Sequence, residues 1–222
     1  MTKPHKFPNR GIILPLLALL AVLGVLFLGS LVFAVAGMGG IDEDGGGGSG
    51  GGSAVVTADG HAFPLPRNKG YGRDWLADRC SGTGSGQPHA HGGTDIMHTK
   101  NDPVPVYAVV NGTIVWKTNS SIKLQSSNPN DSYSYYYTHL SAVLVTTGAS
   151  VTVGQNIANS AGYNGGAQGD HTHFSMLTDW HNRVEVPLPN GCSGTPMAER
   201  EQLAAALGII NPIPSLKNWE GK

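Results

Sequence analysis

The chain of 222 residues has little charge and no cluster of basic side chains. Only 13% of its residues are charged, with 14 Lys and Arg against 15 Asp and Glu, so the formal net charge is −1. After Ser53 the two signs nearly balance. Proteins that bind nucleic acid need Lys and Arg to neutralise phosphates. The composition therefore argues against a nucleic-acid partner.

Charge is missing altogether from Gly11 to Met38. A helix over this run would be about 40 Å long, at about 1.5 Å per residue, and the hydrocarbon core of a bilayer is roughly 30 Å thick. Residues 11–38 are thus predicted to form a transmembrane anchor. Basic residues precede the run and acidic residues follow it: Lys3, Lys6 and Arg10, then Asp42, Glu43 and Asp44. This asymmetry predicts a cytoplasmic N-terminus and an extracytoplasmic remainder.

A cleaved signal peptide is the alternative, because Ala34-Val35-Ala36 resembles a small-residue cleavage site and would release a secreted protein. The apolar run is longer than the 7–15 residues of an ordinary signal-peptide core, and this favours the anchor.

Cysteine is equally scarce. Cys80 and Cys192 are the only two, and both lie in the part predicted to face outward. An oxidising compartment would allow them to pair, and a bridge closing so long a loop would stabilise the fold by about 4 kcal/mol. Two unpaired thiols are the alternative, since pairing depends on a Cα separation that the sequence does not give.

Composition divides the chain into successive regions. Gly45 to Ser53 reads GGGGSGGGS, which is typical of a flexible tether, and no internal repeat of useful period is present. We predict a cytoplasmic N-terminus, an anchor, a linker, a folded domain with its motifs in 87–178, and a C-terminal helix with an extension. The corresponding ranges are 1–10, 11–38, 39–59, 60–195 and 196–222.

The domain is predicted to consist mainly of antiparallel β-strands. Val104–Val110 and Thr113–Trp116 flank Asn111-Gly112, which is a strong hairpin signal. Turn residues separate further candidate strands at 122–125, 133–140, 143–146, 151–153 and 172–177. One soluble helix is predicted over Pro196 to Leu207, with Thr195 as its N-cap and Gly208 as its stop.

Histidines cluster beside turns in this β-rich part. His91 and Asp95 are four residues apart around two glycines, a spacing that suits a metal site but also an ordinary solvated loop. His171 and His173 begin a predicted strand, where residues i and i+2 share a face. They would be a ligand pair or two exposed edge residues. His139 ends a tyrosine-rich strand and would alone be a core histidine.

In this order and spacing, the three segments resemble the lysostaphin-type, or LytM-like, family of zinc peptidoglycan endopeptidases, the glycyl-glycine endopeptidase type. The resemblance runs from about Gln87 to Thr178 and includes Pro105–Val115, Ser150–Ile157 and Gly169–Phe174. It implies a mainly β fold, with an antiparallel, β-sandwich-like core and one short C-terminal helix, preceded here by the single transmembrane helix.

The resemblance also implies roles for individual residues. His91, Asp95 and His173 would be the ligands of a Zn²⁺ ion, leaving a fourth position for water, as in a catalytic site. His171 and His139 would be the catalytic residues, as general base and as the partner that holds the water or the oxyanion. The residue pattern leaves open which of the two does which.

Two positions depart from the family's pattern. His89 forms a second HxH with His91 and is expected to be a solvated loop residue, and Ser175 stands where the family often has an acid. The resemblance further implies that the substrates are peptides of peptidoglycan. Such a peptide could bind by strand addition along the edge of the tyrosine-rich strand at 133–140. A silent relative that binds wall peptides, or an envelope-assembly component of a secretion or conjugation apparatus, is the alternative function.

Overall fold

The protein is described by a computed structural model that covers residues 54–66, 70–72, 74–80, 87–98, 104–160 and 170–220. These residues all belong to the compact unit Gly48–Lys222. The predicted anchor at 11–38 and the GGGGSGGGS tether lie outside the described residues. Within the described ranges, no helix is both long enough and apolar enough to cross a membrane.

Strands dominate this part of the chain, and three helices lie near its C-terminal end. The strands are β1 (Asp78–Arg79), β2 (His89–His91), β3 (Thr94–Met97), β4 (Val104–Tyr107), β5 (Gly112–Lys117), β6 (Ser121–Ser126), β7 (Ser134–Thr138), β8 (Leu140–Val143), β9 (Ser150–Val151), β10 (Asn156–Ser160), β11 (His171–Leu177), β12 (Glu185–Pro187) and β13 (Ile209–Ile210). The helices are α1 (Gly191–Gly194), α2 (Met197–Ala206) and α3 (Ile213–Trp219).

The largest sheet has the order β13-β11-β7-β6-β5-β9, and β3 also pairs with β11. Two three-stranded sheets have the orders β4-β10-β8 and β1-β2-β12. Every pair of these strands is antiparallel. The prediction of a mainly β, antiparallel fold with little helix is therefore confirmed.

The hairpin predicted around Asn111-Gly112 is wrong. β4 pairs with β10, whereas β5 pairs with β6 and β9, so the two halves of the expected hairpin belong to different sheets. Between them, the main chain of Ala108 bonds to Gln155, and the N–H of Val109 donates to the hydroxyl of Tyr137. Long-range partners therefore replace the local pairing.

Gly112 is needed for packing rather than for a turn. It pairs with Ser126 on one side and Val151 on the other. A Cβ atom there would collide with the main-chain oxygen of Gln125. A glycine after asparagine is thus explained here by close strand contact.

The tyrosine-rich strand β7 divides its side chains between two faces, as its alternation predicts. Tyr135 and Tyr137 are fully buried and pack against Phe174 of β11 in the main core. Tyr136 points the other way and is only half-buried. One face of the sheet therefore builds the core, while the other remains available for a site.

Helix α2 begins one residue later than predicted, at Met197, with Pro196 as its N-cap. Its end at Gly208, whose φ is +68°, agrees with the prediction because glycine tolerates this backbone conformation. The expectation of one short helix was incomplete, since α3 follows with Leu216 and Trp219 buried. This helix was not predicted because the segment contains two prolines, which usually break helices. Pro212 and Pro214 lie at its start, where proline is accepted.

The predicted bridge between Cys80 and Cys192 is present, with a Cα–Cα distance of 6.1 Å. Buried Arg200 of α2 reinforces this connection by donating to the main-chain oxygens of Leu76, Cys192 and Thr195. Residues 76–80 are therefore held to the C-terminal part by the disulfide, by the hydrogen bond from Arg200 to Leu76 and by the ion pair of Arg200 with Asp78.

The N-terminal end of the described domain contacts its C-terminal helix through His61. The imidazole stacks on Trp219 with ring centroids 4.8 Å apart. Its ring nitrogens lie 3.4 Å from Asp59 and 3.5 Å from Asp131, and Tyr135 also donates to Asp131. The Asp131 carboxylate, assisted by Asp59 and opposed by burial, raises the pKa of His61 above its ordinary value.

This raised pKa predicts a pH-dependent contribution to stability. The contribution of His61 is fully present below its unfolded-state pKa of about 6.5 and is lost as pH rises through the higher folded-state pKa. The free energy of unfolding of the parent, minus that of His61→Gln, should be constant below about pH 6 and fall as pH rises through the raised folded-state pKa. Urea unfolding at each pH measures it, and taking the difference cancels other titrating groups. A difference independent of pH would contradict the prediction.

Candidate metal centre

Strand pairing brings the predicted ligands together. In the register of β3 and β11, Asp95 lies opposite His173. His91, the last residue of β2, completes the group. Its Nε2 lies 2.6 Å from Nδ1 of His173 and 3.2 Å from Oδ1 of Asp95, and the third side, from His173 Nδ1 to Asp95 Oδ1, is 3.3 Å. Three donor atoms thus form a small triangle.

Two glycines make this convergence possible. Gly92 and Gly93 connect β2 to β3, and both approach neighbouring segments of the chain too closely for a side chain. A Cβ atom on Gly92 would strike the main-chain oxygen of Val184, and one on Gly93 would lie 2.7 Å from Nε2 of His173. The glycines therefore do more than bend the chain, because Gly93 allows the turn to lie directly against His173 and Gly92 allows it to lie against Val184.

The donor set fits a zinc ion. Two imidazoles and one carboxylate are nitrogen and oxygen donors of the kind that zinc binds at about 2.0–2.2 Å. In a tetrahedral arrangement such ligand atoms are about 3.3 Å apart, close to two of the three sides of the triangle. His91 and His173 are buried, while Asp95 is half-buried. The arrangement can accept a small divalent cation from the solvent side.

The ionisation states of two donors also suit a cation. Burial lowers the pKa of His173 to about 4, which keeps this imidazole neutral at neutral pH. Burial raises the pKa of Asp95, but hydrogen bonds from His173 and His91 outweigh it and hold the pKa well below its ordinary value. For His91, burial lowers the pKa, but the carboxylates of Asp74 and Asp95 raise it to about 9.

Three residues around the triangle were not identified as site residues from the sequence. The carboxylate of Asp74 lies 3.0 Å from Nδ1 of His91, and the hydroxyl of Ser175 lies 2.7 Å from Nε2 of His173. Arg79 contacts the outer oxygen of Asp95 at 3.3 Å. Asp74 and Arg79 precede the motifs, and no regular spacing in the sequence connects them to the ligands. Ser175 was noticed only as a departure from the family, although i and i+2 on β11 place it beside His173.

The two predicted catalytic histidines lie beside the triangle. The rings of His139 and His171 have centroids 4.7 Å apart, and His139 is 6.3 Å from the ring of His173. Nε2 of His171 lies 3.6 Å from Oδ1 of Asp95. All five residues that the sequence singled out therefore lie in one place.

His139 has an uncommon backbone conformation, with φ of +65° between the ends of β7 and β8. Non-glycine residues rarely adopt this region, because their Cβ atom crowds the following carbonyl. The bend takes the chain out of β7 and turns the imidazole toward His171.

The expectation for His89 is corrected. It is buried in β2 rather than solvated, with Nδ1 3.0 Å from the main-chain oxygen of Gln87 and Nε2 3.6 Å from Glu185. Antiparallel pairing of β2 with β12 covers it. His89 is not among the converging donors, and neither is His98, whose Nε2 bonds to Ser160.

Comparison with known proteins identifies this arrangement. Residues 89–186 match the family model of peptidase family M23. This part of the chain is therefore similar to an M23 peptidase domain. The five converging residues all fall within the match, whereas Asp74 and Arg79 precede it. The predicted resemblance is therefore confirmed for the segment that carries the motifs, and a comparison with curated proteins gives no match.

Two solved structures are similar to this chain, and the fold is supported by the first of them. The antimicrobial peptidase lysostaphin from Staphylococcus simulans is 22% identical, with a TM-score of 0.50 over 75% of this chain and 56% of that chain. A protein from Ruminococcus gnavus that carries the name glycyl-glycine endopeptidase LytM is also 22% identical, with a TM-score of 0.46 over 76% of this chain and 61% of that chain. The chain thus spans little more than half of lysostaphin, with which it shares the fold.

A groove of about 910 Å³ adjoins the triangle. His89, Trp116 and Tyr136 line it on the sheet side, and Arg183 and Leu188 line it on the loop side. The ring of Tyr136 links the groove to the donors, since its centroid is 6.0 Å from that of His173. The groove therefore lies beside His173, separated from it by the ring of Tyr136.

The backbone of His139 generates a prediction about stability. His139→Gly and His139→Ala both remove the imidazole, but only glycine is free of the crowding at φ of +65°. We expect the glycine variant to be more stable than the alanine variant by about 1 kcal/mol. Urea unfolding of the two proteins measures this difference.

The neighbouring strand residue provides the matched control. At Thr138, the last residue of β7, the order should reverse, because glycine is less stable than alanine in a strand. The same order at both positions would contradict the assignment of strain to His139.

Proposed function

We propose that the protein is a zinc-dependent endopeptidase that hydrolyses peptide bonds in bacterial peptidoglycan. The observation that carries this proposal is the triangle of His91, Asp95 and His173, with His139 and His171 beside it. Three protein donors are the number that a catalytic zinc ion has, whereas a structural zinc ion has four. The M23 match over residues 89–186 supports the same reaction class.

Each residue of the site then has a role. His91 and His173 would hold the ion through nitrogen and Asp95 through Oδ1. A zinc ion bound there would supply an activated water and polarise the scissile carbonyl. His171 is the group that we assign as general base, because it lies next to the donors at 3.6 Å from Asp95.

His139 is assigned to hold the attacking water or the developing oxyanion. Its ring lies edge-on to His171, and its fixed backbone position limits the directions in which the imidazole can point. An imidazole can donate or accept a proton near neutral pH, as either role requires. A donor held in place before reaction stabilises developing charge without reorganisation.

The groove is assigned to the peptide substrate. It combines an aromatic side, formed by Trp116 and Tyr136, with polar residues on the loop 181–185. The ammonium of Lys123 donates to the main-chain oxygens of Trp180 and Asn182, which fixes this loop against the sheet. A preformed groove of this kind suits an extended peptide, whose main chain offers both donors and acceptors.

We further propose that the domain acts outside the cytoplasm, held to the membrane by residues 11–38. The disulfide between Cys80 and Cys192 supports this location, because such bonds persist in oxidising compartments. A tether of glycine and serine would keep the domain within a few nanometres of the bilayer. Peptidoglycan near the membrane is then the accessible substrate.

Substitution of a ligand tests the proposal. Full-length parent protein, purified in a mild detergent, should contain about one zinc ion per chain and release peptidoglycan fragments with new amine termini. His173→Ala should lose both the metal and the activity. His61→Gln is the matched control, because it removes a histidine that is not among the converging donors and should retain both.

Substitution of His171 tests its assignment as the general base. His171→Ala should retain zinc and lose about 10²- to 10⁴-fold in rate, as expected for a general base. A parent protein that binds zinc but releases no fragments would favour a peptide-binding relative without activity. A parent protein that binds no zinc would overturn the peptidase assignment.

The groove makes a separate prediction about substrate binding. Trp116 is 37% exposed and its ring lies 6.4 Å from that of Tyr136. Trp116→Ala should raise KM for soluble peptidoglycan fragments several-fold and leave kcat nearly unchanged, because it removes contact area without touching the donors. Leu144→Ala, which truncates an exposed residue outside the groove, should change neither. An unchanged KM in Trp116→Ala would exclude the groove as the binding site.

A further inference from the structure

Asp74 contacts the first ligand of the triangle from the side opposite the donors. Its Oδ2 lies 3.0 Å from Nδ1 of His91, and its main-chain oxygen lies 3.1 Å from the same nitrogen. Both oxygens are acceptors, so Nδ1 of His91 must carry the hydrogen. Nε2 is then the nitrogen that faces Asp95 and His173.

The same carboxylate also holds the second ligand. Oδ1 of Asp74 accepts a hydrogen bond from the hydroxyl of Thr94 at 2.9 Å, and both carboxylate oxygens lie within 3.4 Å of the main-chain nitrogen of Asp95. Arg79 lies between the two acids, 3.5 Å from Oδ2 of Asp74 and 3.3 Å from Oδ2 of Asp95. Oδ1 of Asp95 is thereby left to face the histidines.

The partner of His91 differs in kind from the partner of His173. His173 faces the triangle with Nδ1 and bonds through Nε2 to the neutral hydroxyl of Ser175. His91 faces it with Nε2 and is held by a charged carboxylate. A carboxylate behind a metal-binding histidine fixes its tautomer and ring orientation. The stronger of the two outer contacts therefore belongs to Asp74.

The segment around Asp74 is arranged for this contact. A Cβ atom on Gly72 would lie 2.5 Å from Oδ1 of Asp74, so glycine leaves room for the carboxylate. The N–H of Gly72 donates to the oxygen of Asp95, and the N–H of Leu76 donates to the oxygen of His91. Farther along, the disulfide at Cys80 anchors the segment.

We propose that Asp74 is a positioning residue of the metal centre, so that the segment before the M23 match, and not the match alone, determines how tightly the metal is held. This inference rests on the proposed function. Asp74 sets the nitrogen with which His91 binds zinc and fixes the main chain of Asp95. The motifs within residues 89–186 supply the donors, and Asp74 orients two of the three.

Zinc affinity is the first test. Asp74→Asn keeps the size of the side chain and removes its charge. In full-length protein stripped of metal and titrated with zinc against a chromophoric chelator, we expect the zinc Kd to rise by about 10- to 100-fold. Asp179→Asn is the matched control, because it neutralises an exposed carboxylate that bonds to His181, and its Kd should equal that of the parent.

The tautomer of His91 is the second readout, and a merely structural role would not change it. In the zinc-loaded parent, ¹⁵N NMR of the histidine rings should show His91 protonated at Nδ1 and coordinated through Nε2. The Nδ1 hydrogen should exchange slowly with water in the parent and faster in Asp74→Asn. Unfolding in the presence of a chelator checks that the metal-free variant is folded.

The outcomes separate this inference from the proposed function. Equal zinc Kd values for parent and Asp74→Asn would overturn the inference alone and leave the peptidase assignment standing. Coordination of His91 through Nδ1 in the parent would do the same, even if the variant did not fold. A parent protein that binds no zinc would overturn both.

Discussion

The antiparallel register between β3 and β11 is the constraint on which the rest of the site depends. It sets Asp95 directly across from His173, and the two-residue period of β11 then places His171 on the same face. A shift of one residue would turn each of these side chains to the opposite face. The pairing of β7 along the other edge of β11 holds the same register from the far side.

Successive layers of contact surround this pairing. Gly93 lets the turn between β2 and β3 rest on His173, so the donors are close because the backbones are close. Ser175 and Asp74 then occupy the outward nitrogens of the two histidines. Each set of contacts restricts the side chains inside it, and in this way a small domain can hold three polar side chains together against the cost of burying them.

Much of the site was predictable from the sequence because its parts obey local rules. The i and i+2 spacing of His171 and His173 defines one strand face, and two glycines between His91 and Asp95 signal a close turn. The hairpin at Asn111-Gly112 was wrong for a related reason, because a local turn signal cannot show that distant strands bind each edge more favourably. Asp74 was out of reach, since no period connects it to the motifs.

The bend at His139 has a further consequence. The chain leaves the seven-stranded sheet after Thr138 and joins the sheet of β4, β10 and β8 at Leu140, so one left-handed residue forms the corner between two sheets. The orientation of the imidazole at this corner depends on the positions of both sheets. A change in the packing of either sheet, even far from the donors, is therefore expected to change the direction of the imidazole. The orientation of this one ring thus constrains the sequences of both sheets.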